Sequence, residues 1–198
     1  MSVPLPTART GGQILIQALR QQQVRHVFCV PGESYLSALD ALHDAADITT
    51  VVCRHEGGAA MMAEACGKLT GRPSVCFVTR GPGATNAASG IHVAAQDSTP
   101  LVLLIGQVSR DALGREAFQE IDYGLFYNAL AKHVEQVHDV ARLPEVMSRA
   151  FHTACNGRPG PVVVVLPEDV LSDSAQVVDL PEYHRLHSEP APADMARF

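Results

Sequence analysis

Residues 161–166 read PVVVVL, an apolar run made mostly of β-branched valines. A strand with one face in water alternates apolar and polar residues, whereas a strand of a parallel sheet covered on both faces is apolar throughout. We therefore predict that this segment is a buried strand of a parallel sheet with a layer of helices on each face.

Similar strands alternate with helical patterns toward the N-terminus. The expected strands cover residues 26–30, 48–53, 74–79, 101–105, 133–137 and 161–166. Helical periodicity begins near Ile14, and further helices are expected over residues 34–45, with Ser34 as N-cap, 56–69, 84–96, 123–130 and 144–155. This alternation predicts an α/β fold: a doubly wound, mostly parallel six-stranded sheet with helices on both faces.

One domain accounts for most of the 198 residues. Residues 1–172 carry the strand and helix alternation, and residues 107–122 lack periodicity and are expected to form an exposed loop. From residue 173 to 198 the chain becomes polar and then rich in proline and alanine, which is typical of a linker or tail.

Composition excludes several classes of partner. The net charge is −6 and the 15 Lys and Arg residues are scattered, so we expect neither nucleic-acid nor membrane binding. Five cysteines without a C-x-x-C spacing indicate buried thiols of a reducing compartment, and no signal peptide or long apolar run is present. His133 and His138 have no accompanying ligands, so no metal site is expected in this chain, and a cytoplasmic location is predicted.

Glu56 lies where an expected strand ends in RHEGG and a helix of small residues begins. Strand ends of this kind bind ligands in open α/β sheets, which favours a chemical role for the carboxyl group. The alternative is that the helix dipole alone stabilises an acid in the first turn. A second turn of the same type, GPGATN at residues 81–86, follows the strand at 74–79 and permits either a phosphate-binding or a purely structural interpretation.

Residues 11–171 resemble the N-terminal pyrimidine-binding domain of thiamine-diphosphate enzymes of the acetolactate synthase and 2-oxo acid decarboxylase group. Six segments in the same order carry this resemblance: VPG at 30–32, RHE at 54–56, GPGATN at 81–86, GQV at 106–108, AFQE at 117–120 and GRPGPV at 157–162.

The resemblance implies a catalytic role for Glu56. In this family the matching glutamate bonds to N1′ of the cofactor's aminopyrimidine ring and shares a proton with it, which activates the thiazolium ring to attack a 2-oxo acid. Gly32, Pro82 and Asn86 match residues that line the aminopyrimidine pocket, and Gln119 with Phe118 matches a loop at the reacting end of the cofactor. From the residues alone, each could equally be a turn, helix-start or core residue.

Three further positions bear on cofactors and substrate. Arg158 matches an arginine that contacts flavin in members that bind FAD, although a surface position is equally compatible with its turn. Glu33 replaces a glycine of acetolactate synthases and resembles an acid used for proton transfer in pyruvate-type decarboxylases. The segment LPEDV at residues 166–170, which includes Glu168, has an acid where acetolactate synthases usually have a lysine, so the resemblance does not identify the 2-oxo acid.

The Gly-Asp-Gly motif that marks the family's Mg²⁺ and diphosphate site does not occur in this sequence. The resemblance therefore implies that another domain or subunit holds Mg²⁺ and the diphosphate, that residues 173–198 lead toward a middle domain, and that the full enzyme is a homodimer or homotetramer. Two alternatives remain: a separate subunit of a two-chain decarboxylase, and a non-catalytic regulatory or scaffolding module of the same fold.

Overall fold

The computed structural model describes residues 7–184. Its strands are β1 (Arg9–Thr10), β2 (His26–Cys29), β3 (Thr49–Val52), β4 (Ser74–Val78), β5 (Leu101–Gln107), β6 (His133–Gln136), β7 (Pro161–Pro167) and β8 (Ser174–Ala175). Its helices are α1 (Gly11–Gln21), α2 (Leu36–His43), α3 (Glu56–Thr70), α4 (Pro82–Asp97), α5 (Tyr123–Tyr127), α6 (Leu143–Cys155) and α7 (Glu168–Ser172).

The main sheet confirms the predicted α/β fold. Its six strands are all parallel and lie in the order β3-β2-β4-β5-β7-β6. The run at residues 161–166 forms most of β7, which pairs with β5 from Leu101↔Pro161 to Gln107↔Pro167. Every residue of both strands is buried, as the uninterrupted apolar sequence predicts for a strand covered on both faces.

Alternate residues along the strands pack into two separate hydrophobic cores. Val162, Val164 and Leu166 pack into the first core with α1, α2 and α6, whereas Val163 and Val165 pack into the second with α3, α4 and α5. Because successive strand residues point to opposite faces, this division places one helical layer on each side of the sheet.

Helices α3 and α4 approach each other closely because small residues face each other. A Cβ atom on Gly90 of α4 would lie 2.5 Å from the Cβ of Ala60 and 3.0 Å from the Met61 backbone nitrogen of α3. No larger residue fits at this crossing without moving one helix. The first turns of α3 and α4, which follow β3 and β4, are thereby held in a fixed relation.

The predicted N-cap at Ser34 is wrong. A turn of 3-10 helix at Glu33–Tyr35 precedes α2, which begins only at Leu36. Ser34 is fully buried, and its Oγ lies 2.8 Å from Oγ1 of Thr79 at the end of β4. The hydroxyl therefore links two strand ends instead of capping a helix.

The described part of the expected linker packs against the domain. Strand β8 pairs antiparallel with β1, and Val177 is buried in the first core. The chain then continues to the C-terminal end of α1, where the side chain of Gln22 donates to the carbonyl of Pro181 at 3.3 Å and accepts from the amide of Tyr183 at 3.1 Å. Residues 185–198 lie outside the described part of the chain.

The sequence predicts buried free thiols, and three of the five cysteines are buried. All five cysteines are free; Cys29, Cys76 and Cys155 are buried, and Cys53 and Cys66 are half-buried. Burial raises the pKa of Cys29 to about 11, so this thiol stays protonated at neutral pH. Between residues 7 and 184, no helix is both long and apolar enough to cross a membrane.

We expect Gly90→Ala to lower the free energy of unfolding by about 1–3 kcal/mol, because the added methyl group would push α3 and α4 apart. For a chain of this size each kcal/mol corresponds to a shift in Tm of about 2–4 °C, measurable by thermal denaturation.

Gly58→Ala is the matched control, since a Cβ at Gly58 of α3 meets nothing within 4 Å. Alanine there should raise stability by up to about 1 kcal/mol through helix propensity. Equal effects of the two substitutions would contradict the proposed close contact of the helices.

Candidate functional site

The strand order creates a crevice between β2 and β4. The chain moves from β2 outward to β3 and then returns past β2 to β4, so successive connections diverge at this point of the sheet. Ligands of doubly wound folds bind at the carboxyl ends of strands where the order reverses. Gly32 lies at this crevice after β2, where a Cβ atom would come within 2.4 Å of the Cβ of Thr79 after β4.

Glu56 begins α3 beside this crevice. His55 caps the helix, with its Nδ1 accepting from the amide of Gly57 at 3.0 Å. Asn86, in the first turns of α4, donates from Nδ2 to Oε2 of the half-buried Glu56 at 3.0 Å. Among residues 7–184 no donor bonds to Oε1, so one carboxyl oxygen is fixed and the other is open.

In the glycine turn at the start of α4, the backbone of Gly83 lies next to the carboxyl group of Glu56. A Cβ on Gly83 would lie 3.3 Å from Oε1 of Glu56 and 2.8 Å from Cγ2 of Thr79. Pro82 occupies the first helical position and is exposed. Gly83 is buried, so a side chain at this position would displace Thr79 and crowd Oε1 of Glu56.

Gln119 packs on the same turn from the other side. Gly81 has φ +57°, and a Cβ there would meet the Cβ of Gln119 at 2.7 Å. The Gly81 amide donates to the hydroxyl of Tyr123 at 2.8 Å, and burial raises the pKa of that hydroxyl to about 12. The Tyr123 phenol therefore stays neutral at physiological pH, and its oxygen stabilises the turn by accepting the hydrogen bond from the Gly81 amide.

The loop that carries Gln119 is exposed, as predicted, but internally ordered. Glu120 accepts from the amides of Gly114 at 2.6 Å and Ala117 at 3.0 Å, and these backbone donors lower the pKa of its carboxyl group. Gln119 adopts φ +63°, and the side chain of Phe118 is 73% exposed. Phe118 is thus a surface residue here, and its core alternative does not apply to this domain.

Arg80 has contacts that the sequence did not reveal. Its side chain is only 9% exposed and forms ion pairs with Glu33 at 2.8 Å and Glu168 at 3.3 Å. The two acids are 47 and 88 residues away along the chain. The available signal was a charged residue just after the strand segment SVCFV, yet only the folded sheet identifies its partners.

Arg158 lies apart from these residues. It donates to Oγ of Ser98 at 2.7 Å and to the carbonyls of Ala95 and Gln96 at 3.3 and 3.2 Å, where α4 ends. Because α4 has 16 residues and each adds about 1.5 Å, this end is about 24 Å from the turn beside Glu56. Arg158 lies near the amino ends of the strands, just before β7. Seven of the predicted residues lie instead near the carboxyl ends of the strands: Gly32, Glu33, Glu56, Pro82, Asn86, Phe118 and Gln119.

Metal-ligand geometry does not occur in the described part of the chain. Between residues 7 and 184 no three or more His, Cys, Asp or Glu side chains are arranged to hold a metal ion. His133 faces Glu135 at 3.5 Å, and His138 lies beyond the end of β6.

Residues 9–125 match the family described as thiamine pyrophosphate enzyme, N-terminal TPP binding domain. The acetolactate synthase isozyme 2 large subunit of Escherichia coli is 44% identical over 160 residues, which cover 81% of this chain and 29% of that protein.

Two further relatives show the same pattern. The acetolactate synthase of Arthrospira platensis is 42% identical over 87% of this chain and 30% of its own length. The chloroplastic acetolactate synthase of Arabidopsis thaliana is 40% identical over 88% of this chain and 27% of its own. The chain thus spans about three tenths of the length of these relatives, and it belongs to the thiamine pyrophosphate enzyme family, of which it contains the N-terminal TPP binding domain.

Proposed function

We propose that this chain supplies the aminopyrimidine-binding half of an active site that uses thiamine diphosphate to decarboxylate or join 2-oxo acids, as in acetolactate synthase-like enzymes. The observation that carries the proposal is the pair formed by Glu56 and Asn86, in which one carboxyl oxygen is held and the other is open toward the crevice. Family membership supports the cofactor, and the acetolactate synthase relatives support the substrate class.

The residues fit a flat heterocycle with a basic ring nitrogen. Such a ring needs a carboxyl oxygen that no described protein donor already uses, and Oε1 of Glu56 meets this need. Gly32 and Gly83 allow the turns after β2 and β4 to pack closely on Thr79, which keeps these turns beside Glu56. We propose that Gly32, Pro82 and Asn86 line the ring and that Gln119 reaches the reacting end.

The protein's chemical contribution is the control of one proton. Thiamine diphosphate, when bound, supplies the electron sink for decarboxylation. Glu56 holds or accepts a proton at Oε1 opposite the ring nitrogen, while the N–H of Asn86 keeps the carboxyl plane oriented through Oε2. The packing of α3 on α4 keeps these two side chains at hydrogen-bond distance.

A second domain or subunit completes the site in this proposal. We propose that it binds the diphosphate through Mg²⁺ and that the full enzyme is a homodimer or homotetramer. The support is that acetolactate synthase relatives are about three times as long as the matched region. FAD binding with Arg158 as a contact also remains a proposal, and in this structure that side chain is bonded to the end of α4.

We expect Glu56→Gln, in an assembly that includes the diphosphate-binding domain, to slow exchange of the thiazolium C2 proton by at least about 100-fold, because the amide cannot share a proton with the ring. Exchange is measured by NMR on samples quenched in acid.

Glu145→Gln is the control, since Glu145 also lies in the first turn of a helix, but in the layer on the other face of the sheet; the change removes helix-dipole stabilisation and the ion pairs with Arg142 and Arg149, all away from the crevice. If the C2 proton exchanged at the same rate with Glu56→Gln as with Glu145→Gln, the carboxyl group of Glu56 would have a structural role only, as the non-catalytic alternative requires.

Asn86→Ala should slow the same exchange about tenfold, because a hydrogen bond to a charged group is worth about 1.5–3 kcal/mol and Glu56 would lose its orientation. Ser89→Ala, at an exposed position of the same helix, controls for changes in α4. A fall in Tm without a change in exchange would instead identify Asn86 as a helix-start residue.

A further inference from the structure

The guanidinium of Arg80 uses all three of its nitrogens at the edge of the crevice. Nε donates to the carbonyl of Phe118 at 3.2 Å, one terminal nitrogen donates to Glu33 at 2.8 Å, and the other donates to Glu168 at 3.3 Å. These partners belong to three different segments, which follow β2, β5 and β7. Arg80 itself follows β4, so one side chain connects segments that follow four different strands.

Because the Arg80 guanidinium is buried, its charge must be compensated by nearby carboxylates. The Arg80 side chain is 9% exposed, whereas those of Glu33 and Glu168 are 65% and 44% exposed. A charge removed from water requires compensating charges with good geometry, and removing one partner is strongly destabilising. The two partly exposed carboxylates therefore supply the negative charge that the buried guanidinium requires.

The contact with Phe118 determines where Gln119 lies. The carbonyl of Phe118 belongs to the peptide that begins Gln119, and Gln119 packs against Gly81, the residue after Arg80. The loop is thus fixed to the turn at two adjacent points, one polar and one by direct contact. Glu120 also stabilises the loop internally, because its carboxylate accepts from the backbone amides of Gly114 and Ala117 in the same loop.

Lysine cannot reproduce this set of contacts. A guanidinium presents donors in a planar fork, so it can bond in three directions at once, whereas an ammonium group on a flexible stem acts as a point charge. The need for three simultaneous directions accounts for an arginine at this position.

We propose that Arg80 is a positioning residue that holds the Phe118–Gln119 loop against the Gly81–Gly83 turn, with Glu33 and Glu168 serving to retain its guanidinium. The catalytic meaning of the loop rests on the proposed function, because Gln119 faces the reacting end of the cofactor only if the cofactor binds beside Glu56. In this assignment Glu33 is primarily an ion-pair partner and not a free proton carrier.

The first test measures hydrogen exchange by mass spectrometry in the 198-residue chain without any cofactor. In Arg80→Met we expect amides of residues 115–122 to exchange at least about tenfold faster, because loss of the Phe118 contact frees the loop to open. Strands β5 and β7 should keep wild-type exchange. Arg149→Met is the matched control, since Arg149 also pairs with two carboxylates, Glu135 and Glu145, away from the crevice.

Unchanged exchange in residues 115–122, or acceleration spread evenly over all strands, would overturn the proposal. If Arg80→Met does not fold, Glu33→Gln and Glu168→Gln provide the same test with the arginine retained. Each should accelerate exchange of the loop by a smaller factor than the loss of Arg80, and no acceleration in either would count against the proposal.

The second test uses the complete enzyme. Arg80→Lys should bind thiamine diphosphate with wild-type Kd while kcat falls at least about tenfold, because the cofactor's aminopyrimidine contacts remain and only the loop is displaced. A change in cofactor Kd with unaltered kcat would contradict the positioning role. If the wild-type assembly bound no thiamine diphosphate, the proposed function would fail while the exchange result in the isolated chain would still decide the role of Arg80.

Discussion

The near absence of a side-chain layer between α3 and α4 is the constraint on which the candidate site depends. Gly90 and Ala60 allow the two helices to touch at backbone level, and this contact sets the relation between their first turns. Glu56 comes from one helix and Asn86 from the other, so their 3.0 Å hydrogen bond reports the helix spacing directly. The site is therefore as rigid as the second core that contains these helices.

A buried guanidinium explains two acidic residues that otherwise look unrelated. Glu33 and Glu168 differ from the acetolactate synthase pattern at separate points of the sequence, and either could be read as a clue to the substrate. In the folded chain both contact Arg80. Since a buried cation needs nearby anions, the two positions have one physical cause, and they should be interpreted together with Arg80.

The fold and the position of Glu56 at a strand-to-helix junction could be predicted because their signals are local. The uninterrupted apolar run of β7 indicates two covered faces, and Gly32, Glu56 and Pro82 lie where the chain turns after β2, β3 and β4. The missed features depend on residues that are distant in the chain. Ser34 bonds to Thr79 across 45 residues, and the partners of Arg80 are separated from it by 47 and 88, so neither periodicity nor capping preference could identify them.

The path of the segment after β8 has a consequence for access to the crevice. Strand β8 pairs with β1 near the end of α7, and the chain then crosses the outer side of the first helical layer to reach Gln22 and Tyr183 at the opposite end of α1. The last described residues therefore lie near the amino ends of the strands, whereas Glu56 lies near the carboxyl ends. Within the described part of the chain, residues 176–184 thus contact the helix ends on the far side of the sheet and do not cover the crevice beside Glu56.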